Sequence, residues 1–294
     1  MDISDYIAES SARAERALNV LVPVETTLPV TIHKAMRYSL FAGGKRIRPV
    51  LCFAACEAVA GQVPGIENVA ATLEMIHTYS LIHDDLPALD NDDLRRGRPT
   101  NHVVFGEAMA ILAGDSLLTL AFEVLGGLPN ASDAIRARLV AELATAAGTV
   151  GGMIGGQVHD IEGERQTPTA ELLEAIHRAK TGALLRASVR MGAIYAGANP
   201  EQLDALSRYG EHTGLAFQIV DDILDVEQSS EILGKTAGKD QAQQKITFPA
   251  VYGLDRSKVM AEQERQAAHE ALTTFGEAAA PLRELADFIV NRKA

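Results

Sequence analysis

The sequence predicts an all-α fold. Apolar residues recur three and four apart almost throughout, as in Leu73, Ile76, His77, Leu81 and Leu203, Leu206, Gly210, Leu215, and no run alternates strictly between apolar and polar. Hydrophobic residues make up 47% of 294, enough for a large core between packed helices. Helical segments are expected over 3–21, 30–42, 48–60, 66–84, 104–126, 133–160, 168–197, 201–226, 248–254, 257–275 and 279–291.

Several of these segments carry their own signals. In 48–60, Cys52 and Cys56 would share a face; without further ligands for zinc they read as buried free thiols. Pro87, which has no amide hydrogen, stops the helix that carries Asp84. The run Gly148, Gly151, Gly152, Gly155, Gly156 is poor for an isolated helix, each glycine costing about 1 kcal/mol against alanine. It is read as a surface for close helix approach in preference to a hinge. Thr167 before Pro168 and Asn199 before Pro200 read as N-caps with proline at the first helical position. The polar stretch from Gln228 to Thr247, with Lys235, Lys239 and Lys245, reads as a mobile loop beside an acidic cluster, a plain surface loop being the equal alternative. No Pro-, Gly- or Ser-rich linker or tandem repeat divides the chain, so one domain over 1–294 is expected.

Charge narrows the function classes. A formal net charge of −12 argues against sequence-independent nucleic-acid binding and gives no long-range attraction for an anionic substrate; such a ligand must be captured locally. The longest apolar candidate, Val103 to Leu128, is broken by Glu107, Asp115 and Glu123, so no membrane span of about eighteen uninterrupted apolar residues is expected. Asp2 and Asp5 do not fit a signal pattern. A soluble cytoplasmic protein is the expectation.

Two aspartate clusters stand out, Asp84-Asp85-Leu86-Pro87-Ala88-Leu89-Asp90 and Asp221-Asp222-Ile223-Leu224-Asp225. Carboxylates this dense repel one another and ask for divalent cations. On a helix Asp221, Asp222, Asp225 and Gln218 fall within an arc of about 100°. Asp84 and Asp90 would lie about 240° apart, so they converge only if the chain bends, and Pro87 supplies a reason. His77 nearly eclipses Asp84, at about 20°. Basic or polar runs accompany the clusters: Gly43-Gly44-Lys45-Arg46-Ile47-Arg48-Pro49, Arg95-Arg96-Gly97 and Lys180-Thr181-Gly182, with Gly234-Lys235 after the second cluster. Metals plus cationic side chains suit a phosphate-rich ligand. Asp115 fits either a satisfied buried carboxylate or a partner for a basic site residue.

In this order the motifs resemble the trans-isoprenyl diphosphate synthases, closest to the short-chain bacterial farnesyl diphosphate synthases, over about residues 30 to 255. The resemblance implies an isoprenoid synthase-type helical bundle around a deep central cavity and a homodimer. It implies that isopentenyl diphosphate is condensed with dimethylallyl and then geranyl diphosphate to give farnesyl diphosphate and pyrophosphate. By it Asp84, Asp90 and Asp221 bind three magnesium ions, manganese being an acceptable substitute, with Asp85, Asp222 and Asp225 beside or behind them. Arg95, Lys180 and Lys235 contact the allylic diphosphate, while Gly44, Lys45, Arg48, His77 and Arg96 hold isopentenyl diphosphate, aided by Arg292-Lys293. Thr181 and Gln218 sit beside the developing cation, and Tyr79 and Ser80 limit product length. On an ideal helix Ser80 lies within about 40° of Asp84 but Tyr79 about 140° away, so Tyr79 rests on the resemblance alone. Geranylgeranyl and geranyl products are alternatives within the family. A class I terpene cyclase is disfavoured by Asp221 to Asp225 together with Lys45 and Arg48, and a non-catalytic partner subunit by the two intact clusters.

Overall fold

The computed structural model describes residues 2–163, 166–227 and 246–292. Helix α1 (Ile3–Leu21) starts where the Asp2 side chain accepts the Ser4 amide at 2.8 Å, and turns Ile7, Ala14 and Leu18 inward. After α2 (Val30–Leu40), helices α3 (Ile47–Ala60) and α4 (Ile66–Asp84) bury most of their residues, polar Thr72 and Glu74 included. Helices apolar on nearly every side belong at the centre of a bundle. Around them come a short antiparallel hairpin, β1 (Leu94–Arg95) with β2 (Arg98–Pro99), then α5 (Asn101–Phe105), α6 (Glu107–Gly126), α7 (Asp133–Ala147) and α8 (Met153–Gly163). The chain continues through α9 (Ala170–His177), a π-helical turn (Arg178–Gly182), α10 (Ala183–Tyr195) and α11 (Pro200–Glu227). Helices α12 (Phe248–Tyr252), α13 (Leu254–Ala271) and α14 (Ala280–Asn291) close the described chain. Helix α3 packs on α4 and α10, α10 on α11, α11 on α13 and α4 on α6. The fold is all-α, as the periodicity predicts.

Backbone chemistry explains where the observed helices depart from the expected segments. The segment expected at 104–126 begins at Asn101 and is cut at Gly106, whose φ of +83° no helix accommodates. The segment expected at 133–160 is two helices, broken between Ala147 and Met153. There the glycines do both jobs. Gly151 takes a φ of +66°, and a Cβ on Gly155 would lie 1.8 Å from the Thr149 carbonyl oxygen, so the chain folds tightly on itself. Gly156 instead serves close approach, since a Cβ there would lie 2.1 Å from the backbone nitrogen of Lys180.

The segment expected at 168–197 is interrupted by the π-helical turn, and its N-cap is Thr169, not Thr167: the Thr169 hydroxyl accepts the Leu172 amide at 3.2 Å. Asn199 does cap α11. Its side chain accepts the Gln202 amide at 2.8 Å while Gln202 accepts the Asn199 amide at 3.1 Å, a reciprocal capping box ahead of Pro200. Cys52 and Cys56 are buried and free, with burial pushing the Cys56 thiol up to about 12.

Helix α6 is the one described helix that bears on the expected absence of a membrane span. Despite its charges it is long and apolar enough to cross a membrane by length and composition alone. Its buried residues, Ala110, Ala113, Gly114, Leu117, Ala121 and Leu125, form one face of a helix docked on α4. Asp115 is not buried: its side chain is 57% exposed, 3.9 Å from His83.

Candidate active site

A cavity of about 300 Å³ opens beside α4 and is lined by residues of α3, α4, α8 and the π-helical turn, with Leu89. Charged Arg48, Asp84 and Lys180 line it, together with polar His77 and Thr181. Leu81, Leu89, Met153, Ile154 and Val158 supply apolar wall, and Tyr79 and Ser80 line it too. Tyr79 therefore reaches the cavity that ideal helix angles did not give it. Its buried hydroxyl has no hydrogen-bond partner, its ring meets His83 edge-on at 5.7 Å, and burial pushes the phenol up to about 12.

The first cluster is shaped by the chain's turn after α4. The Asp90 amide donates to the Asp84 carbonyl at 2.8 Å and the Asp92 amide to that of Asp85 at 3.1 Å, so the loop curls back as Pro87 leads one to expect. Burial pushes the Asp84 carboxyl up to about 6, Asp90 and Asp85 add to the push, and Lys180 and Arg95 oppose it. Asp85 and Arg95 pair with each other: the guanidinium of Arg95 reaches both Asp85 oxygens at 2.6 to 2.9 Å. Burial raises the Asp85 carboxyl, and Arg95 limits the rise.

Among the cationic residues, Arg48 is pushed down to about 10 by burial, with Glu74 and Asp221 working against the shift. Arg48 lines the cavity with Asp84, and Asp221 is near enough to act on its charge. Burial holds His77 well below the usual imidazole range, and Arg48, Arg96 and Arg95 reinforce it, so this ring is neutral. Arg96 folds onto the glycine turn before α3, donating to the Gly43 carbonyl, and a Cβ on Gly44 would lie 2.7 Å from its guanidinium. Arg46, within the same basic run, is structural: it is buried, pairing with Glu74 at 2.7 Å and donating to the Leu40 carbonyl. Lys45 is lowered by burial and by Arg292, while Asp221 raises it. Lys180 pairs with Asp160 of α8 at 2.5 Å.

The second cluster lies on α11. Asp221 pairs with Arg292 at 2.6 Å, and that guanidinium lies 3.9 Å over the Phe217 ring, so the C-terminal segment does reach this cluster. Asp222 and Asp225 are buried. The Phe248 amide donates to Asp222 Oδ2 at 2.9 Å, and His177 Nε2 approaches the same oxygen to 3.2 Å. Gln218 meets the other nitrogen of His177 at 3.0 Å. Gly234, Lys235 and Lys293 lie outside the described residues. Among the described residues, no three acidic or histidine side chains form a ready-made metal cage. The sequence reading missed Gln157, which lines the cavity, and also Asp160 and His177. Asp160 and His177 sit three residues from Gln157 and Lys180 respectively, one helical turn away, a weak signal that only their contacts make meaningful.

A cavity lined by both charged and apolar residues suits an anion with a hydrophobic tail, and likeness to known proteins agrees. The pattern of the polyprenyl synthetase family matches residues 29–286, and the chain belongs to that family. It is 50% identical over 299 residues to geranylgeranyl pyrophosphate synthase 3, chloroplastic, of Arabidopsis thaliana, covering 99% of this chain and 82% of that protein. The apo structure of an FPP/GFPP synthase from Zymomonas mobilis superposes with a TM-score of 0.87 at 36% identity, covering 98% of this chain and 99% of that one. The geranyltransferase of Helicobacter pylori, solved with magnesium and isoprenyl diphosphate, gives 0.83 at 34% identity, covering 97% and 96%. The chain is a short-chain prenyltransferase of this family.

Proposed function

We propose that the protein condenses isopentenyl diphosphate with dimethylallyl diphosphate and then with geranyl diphosphate, releasing pyrophosphate and farnesyl diphosphate. One observation carries this reading: a single cavity joins Arg48, Asp84 and Lys180 to the apolar wall beside Tyr79 and Ser80. The allylic carbon–oxygen bond breaks, the double bond of isopentenyl diphosphate attacks the allylic carbon, and a proton leaves to the released diphosphate. Charge grows on the leaving group, so cations placed there stabilise the transition state more than the ground state. Lys180 supplies such charge from this chain, while Arg48 at the same cavity holds isopentenyl diphosphate. The apolar walls keep water from the allylic cation, and the Thr181 hydroxyl and the Gln218 carbonyl offer it partial negative charge.

The residues present fit Mg2+. Asp84 is held above the usual carboxylate range by burial and by its acidic neighbours, which a hard cation with oxygen ligands would relieve. Asp84, Asp90 and Asp221 are the direct ligands in this reading. Asp85, turned to Arg95, and Asp222, turned to His177 and Phe248, stand behind them, and Asp225 joins the second cluster. Bound Mg2+ supplies Lewis-acid neutralisation of the diphosphate. A homodimer, one domain over the whole chain and a cytoplasmic setting belong to the same proposal.

A second reading, a geranylgeranyl product, is favoured by the 50% identical Arabidopsis relative. Incubation with Mg2+, isopentenyl diphosphate and dimethylallyl diphosphate decides between them. Pyrophosphate release requiring both substrates supports a synthase; chromatography separates fifteen- from twenty-carbon products. Tyr79→Ala should lengthen the product, and an unchanged product from that variant would place the floor elsewhere.

A further inference from the structure

A second cavity, of about 510 Å³, is lined by α2, by Arg98 of β2 and by Phe105 of α5. It shares no lining residue with the candidate active-site cavity. Lys34, Arg37 and Arg98 bring three positive charges to it against one carboxylate, Glu25. In a chain of net charge −12 this is a local reversal of sign. Among the described residues, no salt bridge neutralises any of the three cations.

The two arginines are held in place without a ligand. The Arg37 guanidinium lies 4.6 Å over the Phe41 ring, and it donates to the Val22 carbonyl at 3.1 Å and to Asn19 Oδ1. The Arg98 guanidinium lies 4.6 Å over the Tyr38 ring. That ring is fixed in turn: its hydroxyl donates to the Pro99 carbonyl at 2.7 Å, and Phe105 meets it edge-on at 5.5 Å. A guanidinium has five N–H donors. Among the described residues, Arg37 spends two of them within the chain and Arg98 spends none.

Two fixed planar forks and a lysine suit the many oxygens of a diphosphate better than the two of a carboxylate. Because the forks are already ordered, binding costs little side-chain entropy. The space also exceeds a bare phosphate group, so an organic body fits beside the aromatic walls. We propose that this cavity is a second anion site, outside the candidate active site, that takes a small molecule bearing a diphosphate group. The diphosphate is recognised by Lys34, Arg37 and Arg98 and needs no metal. The site does not depend on the proposed prenyl transfer.

The chain has no tryptophan, so Phe105→Trp places a single reporter indole on the wall of this cavity. With chelator present, inorganic pyrophosphate should change its fluorescence saturably, with a Kd below about 1 mM. Lys34→Gln and Arg98→Gln in that background should each weaken binding at least about fivefold, whereas Arg48→Gln, at the other cavity, should change it less than about twofold. Adenosine diphosphate and geranyl diphosphate, titrated in the same way, distinguish a nucleoside from a prenyl body by which binds more tightly than pyrophosphate. A signal that does not saturate, sulfate binding as tightly as pyrophosphate, or an affinity that falls with Arg48→Gln but not with Arg98→Gln overturns the proposal. If Phe105→Trp does not fold, calorimetry with pyrophosphate and chelator compares the unsubstituted chain with Lys34→Gln combined with Arg98→Gln. Loss of one binding event supports the site, and an unchanged isotherm overturns it.

Discussion

Asp84 concentrates opposing forces in one carboxyl. Burial raises it to about 6, with Asp90 and Asp85 adding to the rise, against an unfolded value of about 3.9. The folded state then holds the proton more tightly than the unfolded chain. That contribution to stability is full below about pH 4 and is lost as pH rises through about 6. Metal-free protein should therefore lose Tm across this window. Asp84→Asn, which cannot ionise, should flatten that loss and hold the higher metal-free Tm at pH 7.5, while cutting turnover by about a hundredfold or more. Added Mg2+ should raise the wild-type Tm more at pH 7.5 than at pH 5. Thermal melts with and without chelator decide this, and a wild-type Tm that ignores both pH and Asn substitution contradicts the assigned strain.

At the scale of elements, the junction of α8 with the π-helical turn positions Lys180. Gly156 packs against the Lys180 backbone, as Gly192 of α10 packs against the Cys52 carbonyl, where an added Cβ would also lie 2.1 Å away. Neither backbone neighbour can swing aside as a side-chain tip would, so Gly156→Ala and Gly192→Ala should each cost about 1–3 kcal/mol. Only Gly156→Ala shifts Lys180 and Thr181, so it alone should also lower kcat in the surviving folded protein. Equal kcat in both variants would detach the junction from catalysis. The same junction shows what sequence could and could not reveal. Helix periodicity, Pro87 and the Asn199-Pro200 cap were legible because each acts through its own neighbours along the chain. The π-helical turn was not, because Arg178 to Gly182 carries ordinary helix periodicity and its extra residue per turn is stabilised by packing. The partners Asp85 with Arg95, Lys180 with Asp160 and Gln218 with His177 were hidden for a related reason: the residues were visible, but each bond crosses between elements whose docking no spacing encodes.

For the whole molecule, the unresolved balance is on α6. Its inner face is buried against α4, yet Ile111 and Leu112 remain 44% and 52% exposed, and Val103 and Val104 of α5 are also exposed. Exposed apolar residues grouped on packed helices mark an interface, while Glu107, Asp115 and Glu123 on α6 disfavour surrounding lipid. A second copy of the chain is the cover consistent with the proposed homodimer. Ile111→Glu combined with Leu112→Glu places two charges on that face without touching the buried Ala113, Leu117 and Ala121. Sedimentation should then show the unsubstituted protein as a dimer and the variant shifted toward monomer, with helical circular dichroism unchanged. A dimer that persists in the variant moves the interface off α6; binding of the unsubstituted protein to lipid vesicles would assign this face to a membrane instead.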